Sequence, residues 1–233
     1  MSIQSRALLA DLTLGKFNNK IEDKQARLKL VEFYECDEKA ISSKKTILSK
    51  CLKPVHAILS QCYLYHIKTT LPWEDRSWRL IPTIKMFDYT DAIRSFKDQL
   101  AMALIDLEKI YQSEITNDEA YLKGLQKISD YPPFEVLSSQ FHIELNFAPI
   151  SSSADFRIEC EEDQLKKLKE SFEEREKGLL NNVTNDLLAR LKAPLEHLVK
   201  TLVDPSIKVY HKSLLTNIES NLELVKSYNL QDN

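Results

Sequence analysis

Tyr89, Ile93, Phe96, Leu100, Ala103, Leu107 and Ile110 step by four and three in strict alternation, and no other pattern in this chain of 233 residues restricts its fold as tightly. Apolar residues at that spacing form one stripe along an α-helix. A stripe kept up over three heptads requires another helix against it, from the same chain or from a second copy. Ile93, Phe96, Leu100 and Leu107 are therefore the candidate self-association seam. Asp88 stands where an N-cap would open this helix. The chain has only three glycines, which argues against a fold of many tight hairpins and against glycine-rich phosphate loops, and favours long helices. With 43% apolar and 29% charged residues, it has the composition of a globular protein able to bury a core.

Other helices follow from the same periodicity. Asp23 opens one that carries Ala26, Leu28, Leu30, Val31, Phe33 and Tyr34. Residues 52 to 67 are apolar on almost every side, as expected of a central helix. Thr116-Asn117-Asp118-Glu119 has the form of a capping box and predicts a short helix ending near Ser129, before Tyr131-Pro132-Pro133 breaks the chain. Beyond Glu161 a long stripe runs through Leu165, Leu168, Phe172, Leu179, Val183, Leu187, Leu191, Leu195, Leu198 and Leu202, with a bend expected at Pro194. Asp204-Pro205-Ser206 ends that helix. A last helix over Tyr210, Leu214, Ile218, Leu222 and Val225 completes an antiparallel hairpin.

Strands are few. Leu8, Ala10, Leu12 and Leu14 alternate, Gly15 marking a bulge or the point where the strand leaves its sheet, and so do Phe141, Ile143, Leu145 and Phe147. A third alternation follows in Asp155-Phe156-Arg157-Ile158-Glu159-Cys160. The expected fold is mainly α (α+β), with a small three-stranded antiparallel sheet near residues 7–17, 140–148 and 154–160. It divides into a core over residues 1–160 and a helical hairpin arm over 161–233.

Between the helices lies Leu71-Pro72-Trp73-Glu74-Asp75-Arg76-Ser77-Trp78-Arg79-Leu80-Ile81-Pro82, which holds both tryptophans. Its prolines predict a connection. Trp73 and Trp78 either form a buried corner, the favoured reading, with Arg76 and Arg79 paired to Glu74, Asp75 or a helix end, or join those arginines as a partner-binding loop. The stretch ends a basic region: residues 39 to 87 hold nine Lys and Arg against Glu74 and Asp75, in a chain of net charge −3. Lys44, Lys45, Lys50 and Lys53 are the candidate nucleic-acid contacts, with a tryptophan stacking on a base. The alternative is that these cations solvate a surface and find their counter-charge in the acidic terminal hairpin.

Met1 to Leu14 does not read as a signal peptide, and no apolar run is long enough to span a bilayer. Cys36, Cys51, Cys62 and Cys160 have no paired spacing and read as reduced thiols of a cytoplasmic protein. Cys62 and His66 lie four apart on one helical face, but no second short-spaced pair completes a zinc set, so no metal or other cofactor is expected. His142, His197 and His211 read as solvated or hydrogen-bonded side chains, and Ser151-Ser152-Ser153 as a loop. No phosphate loop, dinucleotide fingerprint or nucleophile elbow occurs, and no small-molecule substrate is indicated.

The succession of Leu71-Pro72-Trp73 and Trp78-Arg79-Leu80-Ile81-Pro82 before a long helix, then Phe141 to Pro149 and Asp155-Phe156-Arg157-Ile158 before a charged helix, resembles a family of phage, prophage and bacterial proteins. These are sometimes encoded beside MoxR-type AAA ATPases and von Willebrand A-domain proteins. The resemblance covers the chain from about Leu71 onward. It implies a phage or mobile-element adaptor in the host bacterial cytoplasm and carries over no catalytic residue. The sequence thus points to a non-enzymatic protein that self-associates or binds a protein partner through its heptad-bearing helix and its terminal hairpin. The alternative is a nucleic-acid-binding protein of phage replication or recombination that uses residues 39–87.

Overall fold

The computed structural model describes residues 3–73, 78–151, 162–203 and 213–228. Along the chain come β1 (Ala7–Gly15), β2 (Lys20–Glu22), α1 (Lys24–Tyr34), β3 (Lys44–Thr46), α2 (Lys53–Thr69), β4 (Leu71–Pro72) and β5 (Arg79–Pro82). Then follow α3 (Met86–Leu122), α4 (Phe134–Ser139), β6 (His142–Ala148), α5 (Glu162–Val203) and α6 (Ser213–Tyr228). The protein is mainly helical with a small antiparallel sheet component, as the sequence predicts.

The main sheet has four strands among the described residues, in the order β4-β5-β1-β6. The strands expected near 7–17 and 140–148 are β1 and β6, while the one expected near 154–160 lies outside the described residues. The other two come from the stretch read as a connection. β5 lies antiparallel to β1, Ala7 opposite Pro82 and Ala10 opposite Arg79. β4 lies antiparallel to β5, Leu71 opposite Leu80 and Pro72 opposite Arg79. Proline is compatible with these strands because Pro72 is on the edge strand and Pro82 is the last residue of β5, where a missing donor breaks little of the ladder. β2 and β3 form a separate two-stranded ribbon.

Three helices differ from expectation. α3 runs unbroken through Thr116–Glu119, so the capping-box pattern there is interior helix. α2 is not covered on every side: Val55, Leu59, Cys62 and His66 are buried, while Tyr63 and Leu64 are exposed. α5 continues through Pro194. That proline offers no N–H to the carbonyl of Arg190 four residues back; the side chain of Asn221 on α6 donates to it instead, at 3.0 Å.

The chain groups into two compact units. One holds residues Met1–Leu12, Leu64–Ala92 and Leu145–Asn233; the other holds Thr13–Tyr63 and Ile93–Glu144. In the first, the terminal hairpin is part of the core: Val183 and Leu187 of α5 and Leu224 and Tyr228 of α6 are buried with Ala7, Leu71, Trp73, Leu80 and Ile150. The Tyr228 hydroxyl donates to the carbonyl of Leu80. These residues of α5 and α6 therefore share a core with residues of the sheet. In the second unit, the chain must close on the imidazole of His142 beside Gly15. A Cβ at position 15 would fall 2.2 Å from that ring and 2.5 Å from the carbonyl of Gln140, so only glycine fits.

Candidate interaction surfaces

The described residues of the tryptophan stretch are built into the fold. Trp73 is buried in the core of the first unit and lines a cavity of about 220 Å³ with Leu9, Phe172, Leu179, Arg175 and Glu176. Trp78 is half-buried, and Arg76 lies outside the described residues. Arg79 is held by α2: its Nε donates to the Thr70 hydroxyl at 2.7 Å and its guanidinium donates to the Thr70 carbonyl at 3.1 Å. Arg190 donates to the same carbonyl at 3.0 Å and to that of Lys68 at 3.1 Å. Two cations thus satisfy the carbonyls at the C-terminal end of α2, where the helix dipole is negative. Arg79 is engaged in this joint, the helix-end pairing expected of a buried corner.

Beside it lies a buried polar group. His66 Nδ1 is 2.6 Å from the Tyr89 hydroxyl, and Tyr89 stacks on Tyr65. Burial and the positive charge of Arg79 push the His66 imidazole down to about 4, against a smaller upward pull from Asp11, so the ring is neutral at neutral pH. Cys62, four residues before it, is also buried, and desolvation raises its thiol to about 11. Burial likewise raises Cys51, to about 12. Among the described residues no three His, Cys, Asp or Glu side chains gather as a metal would need.

The candidate nucleic-acid contacts separate. Lys44, Lys50 and Lys53 are exposed, but Lys45 is buried, 2.6 Å from a carboxylate oxygen of Asp130 and 3.8 Å from one of Asp23, and it donates to the Leu125 carbonyl at 2.6 Å. A lysine already surrounded by acceptors is not a surface cation. The heptad seam is internal too: Ile93, Leu100 and Leu107 are buried within the single chain and Phe96 is half-buried.

Two helices expose apolar faces. The first is α1, of which no residue is buried: Leu28, Leu30, Phe33 and Tyr34 are all exposed, Phe33 at 76%. The helix is held by polar ties. Its N-cap Asp23 is buried, accepts from the Ala26 amide at 2.9 Å and is kept below the usual carboxylate range chiefly by that bond, with Lys45 assisting. Arg27 binds Glu22 at 2.7 Å and also Glu38. The second face is on the outer side of α5, where Leu188, Leu195, Val199 and Leu202 are exposed. Among the described residues no helix is long and apolar enough to cross a membrane. Comparison of the chain with protein-family models, curated proteins and solved structures finds no match.

Proposed function

We propose that this is a non-enzymatic interaction protein, an adaptor of phage or mobile-element origin that works through helical surfaces in the host bacterial cytoplasm. The observation that carries this reading is α1. A surface helix ordinarily turns its apolar side chains to its own core, and that packing stabilises it. Here the anchoring is ionic, through Asp23, Lys45 and Arg27, and the apolar side chains face outward. Ala26, Leu30 and Phe33 follow the i, i+4, i+7 spacing by which a helix presents anchors to a groove or to another helix. Exposed aromatic and branched side chains of this kind mark docking surfaces. The phage origin rests on the resemblance of Leu71-Pro72-Trp73, Trp78 to Pro82, Phe141 to Pro149 and Asp155 to Ile158 to that family.

Leu30→Glu and Phe33→Glu test it. A protein captured from the native host, then purified and titrated against the chain, should bind the wild type and lose the variants, whose melting stays unchanged. A partner that binds wild type and variants alike would overturn the assignment to α1.

The second reading, a nucleic-acid-binding protein of phage replication or recombination, is favoured by the exposure of Lys44, Lys50 and Lys53. It requires an affinity for DNA or RNA that falls steeply with salt, and a slope that flattens when the three become Glu.

A further inference from the structure

We infer that the terminal hairpin is a dimerisation face whose occupant is a second copy of this chain, assembled as a four-helix bundle. This surface is distinct from α1, so its failure would leave the reading of α1 standing, and the reverse holds too.

Asn221 bonds Arg190, and Leu224 and Tyr228 share a core with Leu187 and Val183, so α5 and α6 run antiparallel with residue 190 level with 221. Each residue of a helix is rotated about 100° from the last. Relative to Val183, at the centre of the face that α5 turns inward, Leu188, Leu195, Val199 and Leu202 lie about 100° to 160° round in the direction of increasing residue number. On α6, relative to the buried Leu224 and Tyr228, Ile218 and Leu222 lie about 100° to 140° round in the same sense. In antiparallel neighbours, offsets of the same sense fall on the same side. The hairpin therefore carries one apolar face contributed by both helices, with Leu188, Leu195, Val199, Leu202 and Leu222 exposed and Ile218 half-buried.

Charge selects the occupant. Beyond Leu188, the exposed charges of α5 are Lys192, Lys200 and Glu196, a net of +1; those of α6 are Glu219, Glu223 and Lys226, a net of −1. A second hairpin related by a two-fold axis parallel to the helices places α5 over the other copy's α6, antiparallel and at the same level. Leu188 then meets the second copy's Leu222, Leu195 meets its Ile218, and Lys192 comes level with its Glu219. Every contact occurs twice, as an isologous interface requires. Antiparallel neighbours on all sides are the packing of an ordinary four-helix bundle. The alternative axis, perpendicular to the helices, would set Lys192 and Lys200 of one copy facing α5 of the other and lose this complementarity.

Light scattering on the full chain should give twice the 27.0 kDa of the monomer at micromolar concentration. Leu188→Glu and Leu195→Glu, both at exposed positions, should raise the dissociation constant roughly a hundredfold while far-ultraviolet dichroism and melting of the monomer are unchanged. Lys192→Glu and Glu219→Lys should each weaken the dimer and together restore it. A monomer at every concentration, a dimer indifferent to both Glu substitutions, or a mass above two copies would overturn the proposal. A dimer that the charge exchange fails to restore would overturn the axis assigned to it.

Discussion

Replacing Asn221 by Ala should destabilise the protein through a carbonyl thirty-one residues earlier. In α5 the carbonyl of Arg190 would ordinarily accept the amide of residue 194, but Pro194 has none, and the side-chain amide of Asn221 occupies that place at 3.0 Å. Both side chains are half-buried, so water cannot fully substitute. A neutral hydrogen bond contributes about 1 kcal/mol net, and leaving the acceptor unsatisfied adds to the loss, so Asn221→Ala should cost about 1–2 kcal/mol. Pro194→Ala restores the missing amide and removes the clash of the ring with the preceding turn, which should raise stability by up to about 3 kcal/mol. In the Pro194→Ala background the Arg190 carbonyl has its helical donor again, and Asn221→Ala should then cost less than about 0.5 kcal/mol, giving a coupling of about 1 kcal/mol. Urea unfolding of the wild type, both single variants and the double variant, followed by far-ultraviolet dichroism, completes the cycle. An equal cost of Asn221→Ala in both backgrounds would show that the bond does nothing to offset the proline.

Gly15→Ala should cost at least about 2 kcal/mol, because the new methyl meets the His142 ring and the Gln140 carbonyl. His142→Ala should rescue it only in part, the carbonyl being unable to retreat, and a full rescue in thermal melts would contradict that geometry. His66 should make stability pH-dependent: its folded value of about 4 lies below the unfolded 6.5, so the unfolded chain takes up the proton first as pH falls. Its contribution is complete above 6.5 and declines towards 4, with a loss of about 2 kcal/mol at pH 5. His66→Asn should flatten that part of the profile, and an unchanged slope would assign it elsewhere. Asp118 is buried and accepts from the Leu48 amide at 2.6 Å and from the Tyr131 hydroxyl at 3.0 Å. Asp118→Leu should cost about 2–3 kcal/mol in urea titrations and Tyr131→Phe about 1 kcal/mol; near-equal costs would mean that the Leu48 amide has another acceptor.

These positions show what the chain reveals about itself and what it conceals. The long helices and the strands β1 and β6 were legible because their periods, 3.5 and 2, are written in consecutive residues. β4 and β5 were not, because two strands of two and four residues, each ending in a proline, carry no period to detect. The anchoring of α1 was hidden for another reason: Lys45 reaches Asp130, eighty-five residues later, and nothing local distinguishes that lysine from its exposed neighbour Lys44. Arg79 was legible as a residue that a buried corner would pair to a helix end, but that the helix is α2 is not written near it.

The contrast between α3 and α5 shows why one apolar stripe is largely covered within the chain and the other is not. In α3 the apolar residues alternate steps of four and three, so their mean period stays close to that of the helix and the stripe keeps to one side. One partner surface within the chain can cover it, and Ile93, Leu100 and Leu107 are buried. In α5 the steps from Leu179 through Val183, Leu187, Leu191 and Leu195 to Val199 are all fours, and each advances the stripe about 40° round the helix. Val183 and Leu187 are buried in the core, Leu191 is half-buried, and Leu195 and Val199 are exposed. A stripe that winds needs two partners in succession. The chain itself supplies the first, and the second is the surface on which Leu195→Glu should act.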